Sequence, residues 1–306
     1  MKPLLKPALL VLISLSTLNP QLSTCLAQGS LTPPGAPAPT MKTLDQLGTN
    51  ILQVSNLVSQ ITKTLPQLEP RYAISNFSTN LTLSGSYYLI TNIVGGGPTN
   101  STVDAINIRT NVHNITIDLN GFSIINTNGA DSSSPAGIRI DEATNIVVRN
   151  GQISGFDRAI KCDGRFYGIL VENVKALNCR RAGIEADGIT GDASQTITVW
   201  QCIVDGVNAT GEGASAAADG IVALSCTAVI DSCVVRDITP AGASTGTCIN
   251  AVTATNTFIN NNFMSQASVG LTVTGGGTRV YYRNNLTAGC GTAFNITGGV
   301  DRGGNF

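Results

Sequence analysis

From about Ser75 onward, apolar and polar positions alternate along the chain, and the alternation returns at a fixed interval. Gly137 to Ala182 shows it most clearly: GIRIDEATNIVVRNGQISGFDRA is followed directly by IKCDGRFYGILVENVKALNCRRA, two segments of about 23 residues. Laid over each other, Ile146 falls on Ile169, Val148 on Val171, Asn150 on Asn173, Phe156 on Cys179 and Ala159 on Ala182. Period-2 alternation marks strands with one face in a core, and self-similarity at 20–50 residues marks a repeat architecture.

The repeat extends in both directions. Ser84–Ile90, Ala105–Ile108 and Ile115–Phe122 read as early strands. First strands of successive turns begin at Ile106, Ile138, Ile160, Ile184, Ile221, Ile249, Leu271 and Asn295. Second strands carry Ile115/Ile117, Ile146/Val148, Ile169/Val171, Ile197/Val199, Val229 or Ile230, Phe258 with Ile259, and Val280/Tyr282. A third short strand ends near Phe156, Cys179, Val207, Ile238, Ala267 and Cys290. Three short strands per turn predict an all-β, right-handed parallel β-helix over 70–306, with about eight coils spanning on the order of 40 Å. Longer intervals such as 183–218 are loops that leave the coil intact. Asn150, Asn173, Gln201, Ser232, Asn261 and Asn284 recur just after the second strand. Stacked side-chain amides there can bond coil to coil and satisfy a tight turn.

A different period precedes the strands. Leu44, Leu47, Ile51, Val54, Val58, Ile61 and Leu65 alternate spacings of 3 and 4, an amphipathic helix over 41–65 that Pro66 ends. It fits either a cap over the open end of the β-helix or a coiled coil. Mixed Ile and Leu lean towards a homotrimer, while Gly48 and the scarcity of charge beside the seam favour the cap.

Ahead of the helix, residues 28–40 (QGSLTPPGAPAPT) form a Pro-rich linker. Residues 1–27 read as a signal peptide: Lys2 and Lys6, an apolar run from Ala8 to Leu18, then Cys25-Leu26-Ala27 as a cleavage site. The chain is therefore expected to be secreted, periplasmic or extracellular. Lipid attachment through Cys25 is the alternative, against which Thr24 is a poor fit. No later stretch is apolar enough for a transmembrane segment.

Only 12% of the 306 residues are charged and the formal net charge is −1, so nothing argues for a nucleic-acid partner and none is expected. Seven cysteines follow Ala27, an odd number without CxxC spacing, and His113 is the one histidine, so a zinc site is not expected. Cys162, Cys179 and Cys290 fall on inward positions, and Cys202 and Cys233 share a column where a disulfide would fit.

The motifs PPGAPAPTMKTLDQ, EPRYAIS, LSGSYYLITNI, NITIDLNGFSI and GI-x-I…NI-x-V-x-NG-x-I-x-GF resemble those of secreted right-handed parallel β-helix repeat proteins, with the pectate-lyase-like fold. The resemblance covers roughly 31–300. It implies the fold, but that fold hosts lyases, glycosidases, esterases and non-catalytic binders alike.

Chemistry concentrates on the outward side of the first strands. One column reads Asn107, Arg139, Lys161, Glu185, Val222, Asn250, Thr272, and the next reads Arg109, Asp141, Asp163, Asp187, Leu224, Val252, Thr274. In register, Asp141, Asp163 and Asp187 sit about 4.8 Å apart along the rod. They are candidates for a glycosidase pair, or for Ca²⁺ ligands in a lyase that uses Arg139 or Lys161 as the basic group. Turn capping by Asp163-Gly164 and Asp187-Gly188, and an ordinary cross-strand charge ladder, explain the same residues without chemistry. The Asn-Thr-Asp, Asp-Asp, His-Gly and Arg-Ile-Lys motifs of polygalacturonase-type glycosidases are absent. Trp200 and Tyr281 lie near outward positions of second strands, where either could stack on a sugar. The reading that fits best is a non-catalytic binding or structural module contacting polysaccharide or cell-surface material. The alternative is a carbohydrate-active lyase or glycosidase.

Overall fold

The structure, a computed structural model, describes residues 43–64, 71–95, 103–127, 135–210, 216–275 and 279–306. The expected leader 1–27, the linker 28–40 and Cys25 lie outside these residues. The chain divides into two units, Met1–Gln67 and Leu68–Phe306.

In the first unit, a helix runs over Leu44–Thr64. A capping box sets its start: the Thr43 amide donates to Gln46 Oε1 (3.1 Å) and the Gln46 amide donates to Thr43 Oγ1 (3.3 Å). Asp45 in the first turn complements the positive end of the helix dipole. Five seam residues are exposed: Leu44 90%, Leu47 36%, Ile51 64%, Val54 51% and Val58 52%.

The second unit is a parallel β-helix. A nine-stranded parallel sheet takes the first strand of every coil, and a sixteen-stranded sheet takes the second and third strands. Crossovers between parallel strands of one sheet take the right-handed sense. Nine first strands are one more than the sequence pattern gives. The added one is Thr79–Leu81, which pairs with Ile106–Ile108 and is too short to show alternation.

Register follows the apolar columns. Ile106, Ile138, Ile160, Ile184, Ile221, Ile249, Leu271 and Phe294 stack coil on coil. All but the partly buried Phe294 are at most 1% exposed. Burying an isoleucine of this kind contributes about 1.5–3 kcal/mol. Ile117, Val148, Val171, Val199, Ile230, Ile259 and Tyr282 form the matching inner column of the second strands.

The predicted polar column marks the bend between second and third strands. Asn150, Asn173, Gln201, Ser232, Asn261 and Asn284 all have positive φ, between 51° and 61°. Asparagine tolerates this left-handed region better than most residues. Amides stack where asparagines are neighbours: Asn173 Nδ2 donates to Asn150 Oδ1 (3.1 Å) and Asn284 Nδ2 to Asn261 Oδ1 (3.2 Å). A second, inward ladder closes the last coils. Asn262 Nδ2 donates to Asn285 Oδ1 (3.0 Å), and Asn285 Nδ2 to Asn305 Oδ1 (3.1 Å). Asn262 and Asn285 also reach the carbonyls of Ile230 and Ile259, so these buried amides are bonded.

Candidate functional site

The nine-stranded sheet places the candidate residues in the expected columns. Asn107 pairs with Arg139, Arg139 with Lys161 and Lys161 with Glu185. Asp141 pairs with Asp163, and Asp163 with Asp187. The strand pleat therefore brings Arg139, Lys161, Asp141, Asp163 and Asp187 onto one face.

The basic groups of that face are already engaged. Arg139 Nε donates to Asp104 Oδ2 (2.8 Å), and its Nη1 lies 3.6 Å from Asp163 Oδ2. Lys161 Nζ donates to the same Asp163 oxygen at 2.6 Å. Asp163 Oδ1 accepts the Gly164 amide (3.1 Å), the turn cap that the Asp-Gly dipeptide predicts. Glu185, in the Lys161 column, is bound by Arg158 Nε at 2.6 Å. Arg158 also pairs with the fully buried Asp157, which Arg180 Nη2 reaches at 2.9 Å.

These contacts split the three aspartates electrostatically. Burial pushes the Asp141 carboxyl up, and the Asp163 charge adds to this against the pull of Arg139. Burial likewise raises Asp187, helped by Glu185 and Asp163. At Asp163 burial also works upward, but the Lys161 hydrogen bond and charge, with Arg139, outweigh it and hold the carboxyl below its usual range. Burial opposes the charge of Arg139, yet Asp104 more than offsets that.

Calcium needs several oxygens converging on one point. Among the described residues, no group of three or more His, Cys, Asp or Glu is placed to hold a metal ion. The Asp163 oxygens already face Lys161 and the Gly164 amide. The aspartate column as it stands does not fit Ca²⁺.

The sequence pattern gave no sign of two partners that shape this face. Asp104 belongs to a loop 35 residues before Arg139. Asp157, Arg158 and Arg180 sit in the GFDRA and NCRRA corners, whose Phe and Cys mark the core, and they form a buried charge network there.

Among the described residues, the other sheet carries three grooves. A groove of about 670 Å³ opens on its last coils, lined by Phe258, Asn260, Tyr281, Arg283 and Arg302. A second, of about 480 Å³, includes Arg71, Tyr72, Thr116, Arg149 and Glu172. A third, of about 410 Å³, lies over Ser123, Asn150, Gln152, Asn173 and Lys175. In the first groove, Phe258 and Tyr281 stack (centroids 5.3 Å, 25°), and the Arg302 guanidinium lies 4.7 Å from the Tyr281 centroid. Trp200, 42% exposed, stands between Glu172 and Asp231 on the same sheet.

No disulfide joins Cys202 and Cys233. Both are free and buried, with Sγ donating to the Val171 and Val199 carbonyls respectively. Their column position is right for a bridge, and the two thiols lie within hydrogen-bond reach of each other. Cys162 and Cys179 are buried as the pattern requires, and Cys290 is only partly so. Burial raises the Cys179 thiol to about 12, so it stays protonated and unreactive. His113 is exposed and opens the strand His113–Asp118.

No helix among the described residues is long and apolar enough to cross a membrane. No known family's sequence profile matches the chain, and no curated protein matches it. Among solved structures, the catalytic unit of the thermostable GH87 α-1,3-glucanase from Streptomyces thermodiastaticus strain HF3-3 is similar at 15% identity and a TM-score of 0.27. The match covers 77% of this chain and 62% of that one, so the chain spans less than two thirds of the glucanase unit.

Proposed function

We propose that this chain is an exported β-helix that binds polysaccharide without turning it over. The observation that carries the reading is the internal pairing of the charged face: Arg139 with Asp104, Lys161 with Asp163, Arg158 with Glu185. A lyase base must be free to take a proton, and Lys161 Nζ already donates to Asp163 Oδ2 at 2.6 Å. A glycosidase nucleophile must present a free oxygen, and Asp163 Oδ2 is shared by two cations. Polysaccharide is the ligand class that fits open grooves of mixed polar and aromatic lining along a rigid rod.

The carbohydrate-active alternative has one observation of its own. Asp141 and Asp187 are pushed up while Asp163 is held down, the division of labour expected of an acid and a nucleophile on neighbouring coils. One experiment separates the two readings. The purified chain is run through native gels containing neutral or acidic polysaccharides, and the same polymers are assayed for new reducing ends and for unsaturated uronate ends. The expected result is retardation by at least one polymer, no new ends, and unchanged retardation for Asp163→Asn. Turnover that disappears in Asp163→Asn would replace binding by catalysis.

For the helix we propose self-association into a homotrimer. The exposed, heptad-spaced Leu47, Ile51 and Val54 support this. Sedimentation of the mature chain should give a trimer mass, and a monomer at micromolar concentration removes the proposal.

A further inference from the structure

The groove over the last coils is outside the charged face and brings two arginines and two aromatic rings together on adjacent coils. We propose that Arg283, Arg302, Tyr281, Phe258 and Asn260 form a binding site for the carboxylates of a uronic-acid polysaccharide; this rests on the polysaccharide-binding reading above and names its ligand.

Register puts the residues together. Phe258 pairs with Tyr281 and Tyr281 with Val300, while Asn260 pairs with Arg283 one step along the strand. Phe258 and Arg302 thus approach the Tyr281 ring from coils on opposite sides. Stacking uses the flat face of the guanidinium and leaves its N–H fork for a ligand. The Arg302 side chain is held in place by the ring, and among the described residues no carboxylate binds its donors.

Arg283 is exposed and, among the described residues, forms no ion pair. The backbone amide of Arg302 donates to the Tyr282 carbonyl, which sets Arg302 one coil beyond Arg283, about 4.8 Å along the axis. The nearby acids are turned to their own surroundings. Asp301 Oδ1 accepts the Gly303 amide (2.7 Å) and Asn305 Nδ2 (2.5 Å), and Asp231 Oδ1 accepts Ser232 Oγ (2.7 Å) and Asn261 Nδ2 (3.1 Å). Arg139, Arg149, Arg158, Arg180 and Arg236 each meet a carboxylate within 3.1 Å. Among the described residues, other arginines such as Arg109 and Arg165 do not, and what sets Arg283 and Arg302 apart is their shared groove on adjacent coils. Two unpaired guanidiniums on adjacent coils repel each other until an anion lies between them.

The shape of that anion follows from the donors. A planar carboxylate matches the guanidinium fork with two parallel hydrogen bonds. A polyuronate carries one on every residue of a stiff chain, with hydroxyls for Asn260 and C–H faces for the aromatic edges. An acidic peptide holds its carboxylates on flexible stems and loses more entropy on ordering.

The test uses the full chain in affinity electrophoresis against polygalacturonate, neutral dextran, dextran sulfate and soluble polyglutamate. Polygalacturonate should retard the chain, and added salt should weaken the retardation. Arg302→Gln should weaken binding about tenfold and the Arg283→Gln/Arg302→Gln pair about a hundredfold, with Arg236→Gln unchanged. Arg302→Lys should behave like the Gln variant, because lysine has neither the fork nor the flat face. Unchanged thermal melts will establish that the variants fold. Equal binding of neutral dextran, or polygalacturonate binding indifferent to both arginines, overturns this site and leaves the polysaccharide reading standing. Dextran sulfate or polyglutamate binding as tightly as polygalacturonate overturns the ligand assignment. If no polysaccharide binds at all, both fall.

Discussion

The charged face of the middle coils and the groove of the last coils contain similar residues, and differ in how their charges are answered. On the charged face, Asp104, Asp163 and Glu185 take up Arg139, Lys161 and Arg158. In the groove, Arg302 lies on an aromatic ring and Arg283 projects without a carboxylate. The first arrangement spends its charges on joining coils, whereas the second leaves them to act on something outside the protein. A run of outward charges in a repeat therefore says little about chemistry until each partner is known.

The sharpest way to break this contrast is at the buried end of the paired network. Asp157→Ala removes the carboxylate that Arg158 and Arg180 share in a buried corner. It should cost about 3–5 kcal/mol in urea unfolding. A loss below about 1 kcal/mol would show that the network does not hold the coils together, since that is the range of surface pairs.

A smaller effect tests burial without pairing. Asp219, on the bland half of the same sheet, is raised to about 6, chiefly by burial, against a bonded Asn250. The folded state binds this proton more tightly than the unfolded chain does. Its contribution is fully present below about pH 4 and is lost as pH rises through about 6, by an amount on the order of 2 kcal/mol. Thermal unfolding from pH 4 to 7 should show that slope in the native chain and a flatter one in Asp219→Asn. Identical slopes would refute it.

Asp163→Asn comes next. Its side chain is 40% exposed, so losing the Lys161 contact should cost only about 0.5–1 kcal/mol by chemical denaturation. Smallest of all, Arg302→Gln should change stability by less than about 0.5 kcal/mol, since it leaves the exposed surface without breaking an ion pair. A larger loss would mean that Arg302 is there to hold Tyr281 and not to meet a ligand.

The fold was legible because its signal is repeated. Ile138, Ile160 and Ile184 each specify the same buried position, so the register survives irregular loops. Thr79–Leu81 escaped notice because three residues with one apolar side chain carry no period. The turn column was also legible as a polar position. Its deeper cause, a backbone bent to positive φ at Asn150, Asn173 and their successors, is invisible without coordinates. At the charged face the columns could be read, but the partners could not. Asp104 and Arg139 are 35 residues apart, and no local pattern links a loop acid to a strand base. The groove was half seen. Tyr281 has an outward position in the repeat, whereas Arg302 follows the last repeat in a Gly-rich tail that reads only as a terminus. Asn262 and Asn285 stand where earlier coils place Cys202 and Cys233, so apolar periodicity has nothing to say about the inward ladder they build.

The amide ladder at the bend is interrupted. Asn173 bonds Asn150 and Asn284 bonds Asn261, but between these runs Gln201 and Ser232 make no amide–amide bond, and the Ser232 coil is joined to Asn261 through Asp231 Oδ1 instead. In a solenoid each coil is stabilised by its immediate neighbours, and cooperativity extends only as far as those couplings are strong. The strand ladders run unbroken through the coils of Gln201 and Ser232, so any weaker coupling between the charged face and the arginine groove is expected at these coils. Native-state hydrogen exchange should find its earliest subglobal opening at the coils of Gln201 and Ser232. Uniform protection across that join would show a single block.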